Sequence, residues 1–356
     1  MHIDNAQFPK EYSKYIQKKN LFLIVSTLIM AFVFVLSICF GSVFIPVPDV
    51  ITSLFGLNDI DKWNTIIFNI RLPRVLTALA AGIGLSISGV AMQSLLRNPL
   101  GSPFTLGISQ AAAFGAALSV MILGTGVMRS TGAAAITITN PYLTTISAFV
   151  FCLLTTGILI GISKLKRSSP MAMILTGVAL GSLFQAGTMF LQFFADDVQL
   201  AAMVFWTFGD VGRTNWQELF IIIITVSIAV VFFISQRWKY NAIDAGNDTA
   251  KSLGVSLERV RIIGMVMASL VTSVIIAFIG IIGFIGLVCP HIVRRIIGDD
   301  HRFLIPGSCL AGGIILLAAD TLARLILIPH VFPVAILTSF LGVPVFIYLI
   351  IKGYRK

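Results

Sequence analysis

Few side chains in this sequence could take part in strong polar chemistry, and the most conspicuous are arginines. Asn69-Ile-Arg-Leu-Pro-Arg-Val-Leu76 places Arg71 and Arg74 three residues apart at the mouth of a long apolar run, and Arg324 closes another. A guanidinium recognises carboxylate or phosphate through a planar fork of N–H donors. If a helix begins here, with Pro73 tolerated in its first turn, Arg71 and Arg74 stand one turn apart and both reach outward together. Two readings stand: snorkelling to lipid phosphate, or docking on the carboxylates of a partner. Asp320, four residues before Arg324, is the one acid well inside an apolar run. Its position favours an ion pair along one helix face, and the competing reading is a proton relay.

A second constellation is milder. Gly177, Gly181, Gln185, Thr188 and Gln192 recur at spacings of four, four, three and four, so they share one helical stripe among Leu, Val, Phe and Met. Gly-x-x-x-Gly alone means close helix packing. Glutamines are costly in lipid and must face protein or a water-filled path. Lining of a translocation path and plain packing are the two readings.

The third is polar: RWKYNAIDAGNDTAKSLGVSLERVR, residues 237–261. Asp248 or Thr249 can cap a short helix running through Leu253, Gly254 suits the left-handed position that ends one, and Val255 supplies the apolar residue that often follows. A solvated connector has no need of Ala250, Leu253 and Val255 to bury. A docking element for a cytoplasmic partner, carrying Asp244, Gly246 and Asp248 as well, is the more economical account.

Catalytic chemistry is missing. There is no G-x-x-x-x-G-K-[ST] phosphate loop, no H-E-x-x-H and no G-x-S-x-G. Cys39, Cys152, Cys289 and Cys309 lie in or beside apolar runs without metal-ligand spacing and read as small buried hydrophobes. Cys289-Pro-His291 offers two ligands with no second pair. Neither an enzyme, a metal site nor a cofactor is expected.

The elements that must position these residues are membrane helices. With 57% hydrophobic residues, 11% charged ones and a mean hydropathy of +0.97, the chain has too little polar surface for a soluble domain. Apolar runs able to cross roughly 30 Å of hydrocarbon fall at about 21–43, 73–95, 104–124, 142–163, 170–194, 217–235, 260–280, 281–297, 303–328 and 332–351. The fold class is thus an all-α polytopic membrane protein of about ten spans, in a single domain over residues 1–356. The polar, basic residues 1–20 precede a run with no cleavage site, so the N-terminus is expected in the cytoplasm, with the C-terminus on the same side. Of the 25 Lys and Arg, this threading leaves only Lys62, Arg71, Arg74, Arg129, Arg213 and Arg324 outside, as the positive-inside rule demands. Basic residues facing anionic lipid account for the net charge of +10 without nucleic acid. Pro99, Gly101 and Pro103 form a tight cytoplasmic turn between the second and third spans.

At these segments the chain resembles the FecCD-type permease subunits of ABC importers for iron chelates, haem and vitamin B12. The matching stretches are RLPR at 71–74, SGVAMQSLLRNPLGSP at 88–103, TLGIS at 105–109, LTGVALG at 175–181, NAIDAGNDTAKSLGV at 241–255, GFIGLVCPHIVRRIIGDDHRFLIPG at 283–307, ADTLARL at 319–325 and LGVPVFIYLI at 341–350. The resemblance implies a homodimer of vitamin B12 importer permease-like subunits in the cytoplasmic (inner) membrane of a bacterium or archaeon. Two ATPase subunits sit below, and a substrate-binding protein sits above. It implies that residues 241–255 fit a groove on the ATPase and that Arg71, Arg74 and Arg324 face outward to acidic residues of the binding protein. It implies a metal chelate as cargo, ferric siderophore first, with haem and cobalamin behind. The family usually has Leu-Gly-Glu-Glu where this chain has Ala245-Gly246-Asn247-Asp248, Ala-Asp where it has Gly101-Ser102, and Glu-Leu-Pro where it has Val331-Phe332-Pro333. An ion-coupled secondary transporter without an ATPase is the alternative from another class.

Overall fold

The computed structural model describes residues 10–57, 60–124, 126–128, 136–138, 141–165, 169–328 and 330–353. Arg129, Lys166, Arg167, Arg355 and Lys356, part of the charge pattern above, lie outside the described residues. The helices are α1 (Lys10–Cys39), α2 (Val47–Leu54), α3 (Asp61–Ile66), α4 (Leu72–Leu96), α5 (Ile108–Ile122), α6 (Pro141–Leu165), α7 (Pro170–Phe194), α8 (Asp197–Thr207), α9 (Trp216–Ser235), α10 (Arg237–Asp244), α11 (Asn247–Ser252), α12 (Leu257–Ile279), α13 (Ile285–Ile297), α14 (His301–Ile326) and α15 (Val334–Gly353). A π turn, Ile67–Arg71, joins α3 to α4. Two short strands, β1 (Gly126–Met128) and β2 (Ile136–Ile138), pair antiparallel between α5 and α6.

Among the described residues, seven helices are long and apolar enough to cross a membrane: α1, α3 continued into α4, α6, α7, α9, α12 and α14. The runs expected at 104–124, 281–297 and 332–351 hold α5, α13 and α15, of 15, 13 and 20 residues. The first two are shortened by backbone that cannot be helical. Gly107 has φ 79° just before α5, and Gly280 at φ 80° and Phe284 at φ 67° bracket an irregular stretch before α13. Irregular backbone at membrane depth is tolerated where protein covers it. Here Gly209 lies so close that a Cβ there would meet the Ile281 carbonyl. α1, by contrast, begins well before its apolar run, because the basic stretch from Lys10 to Asn20 contains neither Gly nor Pro.

α4 is the central helix, buried along nearly all of its length from Val75 to Leu96. Its neighbours approach through glycines. A Cβ on Gly82 would run into the Gly312 carbonyl of α14, and one on Gly89 into the Gly286 carbonyl of α13. Without a hydrophobic drive between helices in lipid, such backbone-to-backbone packing is what holds them.

The end of the bundle that carries Arg71 is locked by charge. Asp320 on α14 is fully buried. Arg74 of α4 forks onto it, Nε to Oδ1 at 3.0 Å and Nη2 to Oδ1 at 2.7 Å, and Arg324 Nε lies 3.1 Å from Oδ2. Arg74 also reaches Asp210 at 3.3 Å in the loop between α8 and α9. The last turn of α1 has no basic residue of its own, and its terminal carbonyls have no intrahelical partner. Arg324 donates to Ser37 O and Phe40 O, each at 3.1 Å. Arg71 donates to Cys39 O at 2.8 Å and to Ile38 O and Val43 O. Cations belong at a helix C-terminus, and here two other segments supply them.

This corrects the expectation that Arg71 and Arg74 reach outward together. Arg71 ends the π turn and bends back over α1, while Arg74 turns in to Asp320. The competing demands were invisible in sequence: unpaired carbonyls on one side and a waterless carboxylate on the other. The Asp320–Arg324 pair is present, with Arg74 as a third member.

Two outcomes follow, both read as melting temperature of the purified protein in detergent. Arg74→Glu sets a second carboxylate against Asp320 and should cost about 3–5 kcal/mol, whereas Arg74→Gln, which keeps the Asp320–Arg324 pair, should cost less. Unchanged melting of Arg74→Glu would mean that the knot holds nothing. Gly89→Ala should destabilise by about 1–3 kcal/mol, while Gly157→Ala, with open space at its Cβ, should be neutral.

Candidate functional site

The stripe on α7 divides between two roles. Gly177 and Gly181 are buried against the turn that leads into α5. A Cβ on Gly177 would come within 2.8 Å of Leu106 Cα, and one on Gly107 within 2.7 Å of the Gly177 carbonyl. Those two positions therefore let α7 and the α5 turn touch, and only the outer part of the stripe faces open space. Gln185, Thr188 and Gln192 line a cavity of about 430 Å³ together with Ser109, Gln110 and Ala113 of α5, Met189, Phe104 and Ile281.

A second cavity of about 570 Å³ shares Phe104 and Ile281 and continues along α15 past Phe284, Ile336, Ser339, Phe340 and Pro344. Amide, hydroxyl and aromatic groups make up the polar and π character of the walls, and among the described residues no Asp, Glu, Lys, Arg or His lines either cavity. Such a surface can hydrogen-bond and stack with a large solute without binding any one charge tightly. Sequence reasoning found three of these residues and missed Phe104, Gln110, Ile281, Phe284 and the α15 face. Gly280-x-x-Gly283-Phe284 was the available signal, two glycines interrupting an apolar run.

The segment 237–261 folds as α10, α11 and the start of α12. Gly246 precedes α11 at φ 128°, and Gly254 follows it at φ 77°, conformations that favour glycine. Val255 N donates to Ala250 O and Gly254 N to Lys251 O, both at 2.9 Å. That crossed pair is the Schellman arrangement expected of Gly254. The start differs from expectation: Gly246 occupies the N-cap with no side-chain cap, and Asp248 is inside the helix with its carboxylate in solvent, 3.9 Å from Lys251. A chain turning at φ 128° has placed its glycine where the capping side chain would stand. Ala250 is fully buried and Val255 packs on the core, but Leu253 is 66% exposed. The segment thus presents a bare leucine and Asp248 on a helix fixed from beneath.

Asp244, at the end of α10, faces a third cavity of about 540 Å³ with Gln93, Ser94, Arg97, Arg294 and Asp299. Burial pushes its carboxyl up to about 6, against the pull of Arg294 and the Ser94 hydroxyl. Arg294 is held by Asp299 at 2.7 Å and donates to Gln93 Oε1 at 3.0 Å. Arg71, Arg74 and Arg324 stand at the other end of the bundle, in the knot described above. Cys289 is fully buried, and the His291 ring packs 6.1 Å from Phe346. No group of three or more His, Cys, Asp and Glu side chains suited to a metal ion occurs among the described residues.

This architecture has relatives. A protein of Methanocaldococcus jannaschii described as an ABC transporter permease is 50% identical over 348 residues, covering 98% of this chain and 99% of its own. The hemin transport system permease of Yersinia pestis is 35% identical over 298 residues, 82% and 86% of the two chains. A solved structure described as an inward-facing conformation of a metal-chelate type ABC transporter superposes with a TM-score of 0.80 at 29% identity, covering 93% of this chain and 98% of that one. The model of the FecCD transport family matches residues 29–352, and the chain belongs to that family of permeases of the cytoplasmic membrane.

Proposed function

We propose that this chain is the permease subunit of an ABC importer that carries a metal chelate, a ferric siderophore before haem or cobalamin. Two copies enclose the path, a binding protein delivers the chelate at the Arg71 end, and two ATPase subunits act on α10 and α11 at the cytoplasmic end. The observation that carries this reading is the fate of Asp320. The one acid deep in a span lies between Arg74 and Arg324, with both of its oxygens engaged in ion pairs, which is the arrangement of a structural knot and not of an ion carrier. Energy enters on this reading from an ATPase outside the chain, and the exposed Leu253, on a helix closed by Gly254, is suited to receive it.

The path, on this reading, follows the two joined cavities past Gln185, Thr188 and Gln192, with Gly177 and Gly181 keeping α7 in place. The relatives' cargoes share a large, rigid metal-centred body, which fits aromatic and amide walls better than a charged pocket. Docking of the binding protein on Arg71, Arg74 and Arg324 takes a narrower form. Arg71 and Arg324 build the platform by capping α1, and Arg74, which already shares itself between Asp320 and Asp210, is the one suited to exchange Asp210 for a carboxylate on the partner.

The proposal is tested on the permease expressed with its ATPase and binding-protein partners. Leu253→Asp, which charges the docking leucine, and Gly254→Pro, which removes a cap hydrogen bond, should abolish ATPase co-purification and uptake. Both should leave permease yield intact, since neither position packs on the bundle. Normal co-purification with both would refute the coupling role. In the path, cysteines at Gln185 and Gln192 should react with aqueous thiol reagents and be protected by the chelate. Leu180, packed against the core, should react far more slowly as cysteine. Equal reaction at all three positions would remove the path from α7.

A further inference from the structure

Asn241 lies on α10, in the segment proposed to meet the ATPase, yet its side chain turns into the bundle. Its Oδ1 accepts two hydrogen bonds from one residue, His301, from the backbone N–H at 2.8 Å and from ring Nδ1 at 3.0 Å. Its Nδ2 donates to Asp300 Oδ1 at 3.1 Å. The amide cannot be flipped, because a backbone N–H only donates and must meet the oxygen. The same logic places the His301 proton on Nδ1, so Nε2 accepts from Ser94 Oγ at 2.8 Å, and the one hydroxyl proton of Ser94 is shared with Asp244 Oδ2, farther off at 3.3 Å. His301 is fully buried, with the Tyr240 ring 5.6 Å away.

These partners belong to different spans. Ser94 is in the last turn of α4, and His301 is the first residue of α14. Asp300 caps α14 through Arg302 N at 3.0 Å and lies 4.0 Å from Lys19 Nζ of α1. Burial pushes the Asp300 carboxyl up, but the hydrogen bonds from Arg302 and Asn241 outweigh it and hold it at about 2. Arg302 forks onto Asp300 and rests 5.1 Å over the Trp238 ring of α10. The apolar side chains of α10 that are buried beside them, Ala242 and Ile243, resist separation but permit sliding. Directional hydrogen bonds in a dry site fix the register.

We propose that Asn241 is a positioning residue for transport, whose amide, through His301 and Ser94, locks the α10 arm to the inner ends of α4 and α14, so that displacement of the arm becomes displacement of those spans. This rests on the importer reading above.

The test uses the full complex of permease, ATPase and binding protein in proteoliposomes, and reads ATP hydrolysed per chelate imported. Asn241→Leu keeps the size and removes all three hydrogen bonds. It should retain bound ATPase and its hydrolysis while uptake falls about ten-fold or more, raising the ratio by the same factor. Asn241→Asp with Asp300→Asn restores a matched acceptor and donor at unchanged net charge, and should bring the ratio back towards wild type. Ser94→Ala breaks the link to α4 alone and should raise the ratio even if Asn241→Leu fails to assemble. A ratio at the wild-type value in Ser94→Ala, or in an assembled Asn241→Leu, overturns the latch. A wild-type complex that imports nothing with ATP overturns the importer reading itself.

Discussion

A carboxylate out of reach of water needs counter-charges, and the position of Asp320 on α14 obliges this fold to supply them. Arg74 comes from α4 and Arg324 from the next turn of α14. Arg324 is simultaneously committed to the carbonyls at the end of α1. Three spans and the α8–α9 loop are therefore fixed against one another at one end by the requirement that no buried charge go unpaired. The glycine contacts of α4 with α13 and α14 continue that unit through the membrane. At the opposite end the Ser94–His301–Asn241 chain ties α4 and α14 to α10. A rigid body tied at both ends can transmit force along its length.

The rest of the bundle is built differently. α7 and α15 border the cavities, Phe340 stands 71% exposed on one of them, and Phe193 of α7 is 81% exposed. Faces of that kind need a cover, and in the proposed dimer lipid and the second copy share it. The irregular backbone before α5 and before α13 meets at these same cavities, where Phe104 and Phe284 lie 6.5 Å apart. Phe284, a non-glycine residue at positive φ, packs so close to Gly342 that a Cβ on that glycine would come within 2.6 Å of the Phe284 Cβ. Strain of this sort persists only where the surroundings fix it.

Much of this was legible in the sequence, and the exceptions have physical reasons. Length and hydropathy found the seven long apolar helices seen among the described residues, because apolar runs in lipid leave little choice. Gly254 and Val255 announced the end of α11 because a left-handed closing residue has few chemical solutions. What local pattern could not supply was partnership across the fold. Nothing near Arg71 reveals the bare carbonyls of α1, and nothing near Arg74 reveals Asp320. The stripe from Gly177 to Gln192 is continuous in sequence, yet the turn at Leu106 and Gly107 covers its inner half. Gln110 and the α15 face went unnoticed because a lone amide or an apolar helix carries no signal of its own until a cavity gives it one.

If energy reaches the path only through the cytoplasmic arm, the source of that energy decides the account. Uptake into proteoliposomes holding the permease and its partner ATPase, with loaded binding protein outside, can be driven either by ATP inside or by an imposed proton or sodium gradient without nucleotide. The account predicts uptake with ATP, insensitive to ionophores that collapse both gradients. Uptake driven by a gradient alone would contradict it, and would make Asp320 a carrier and not the core of a structural knot.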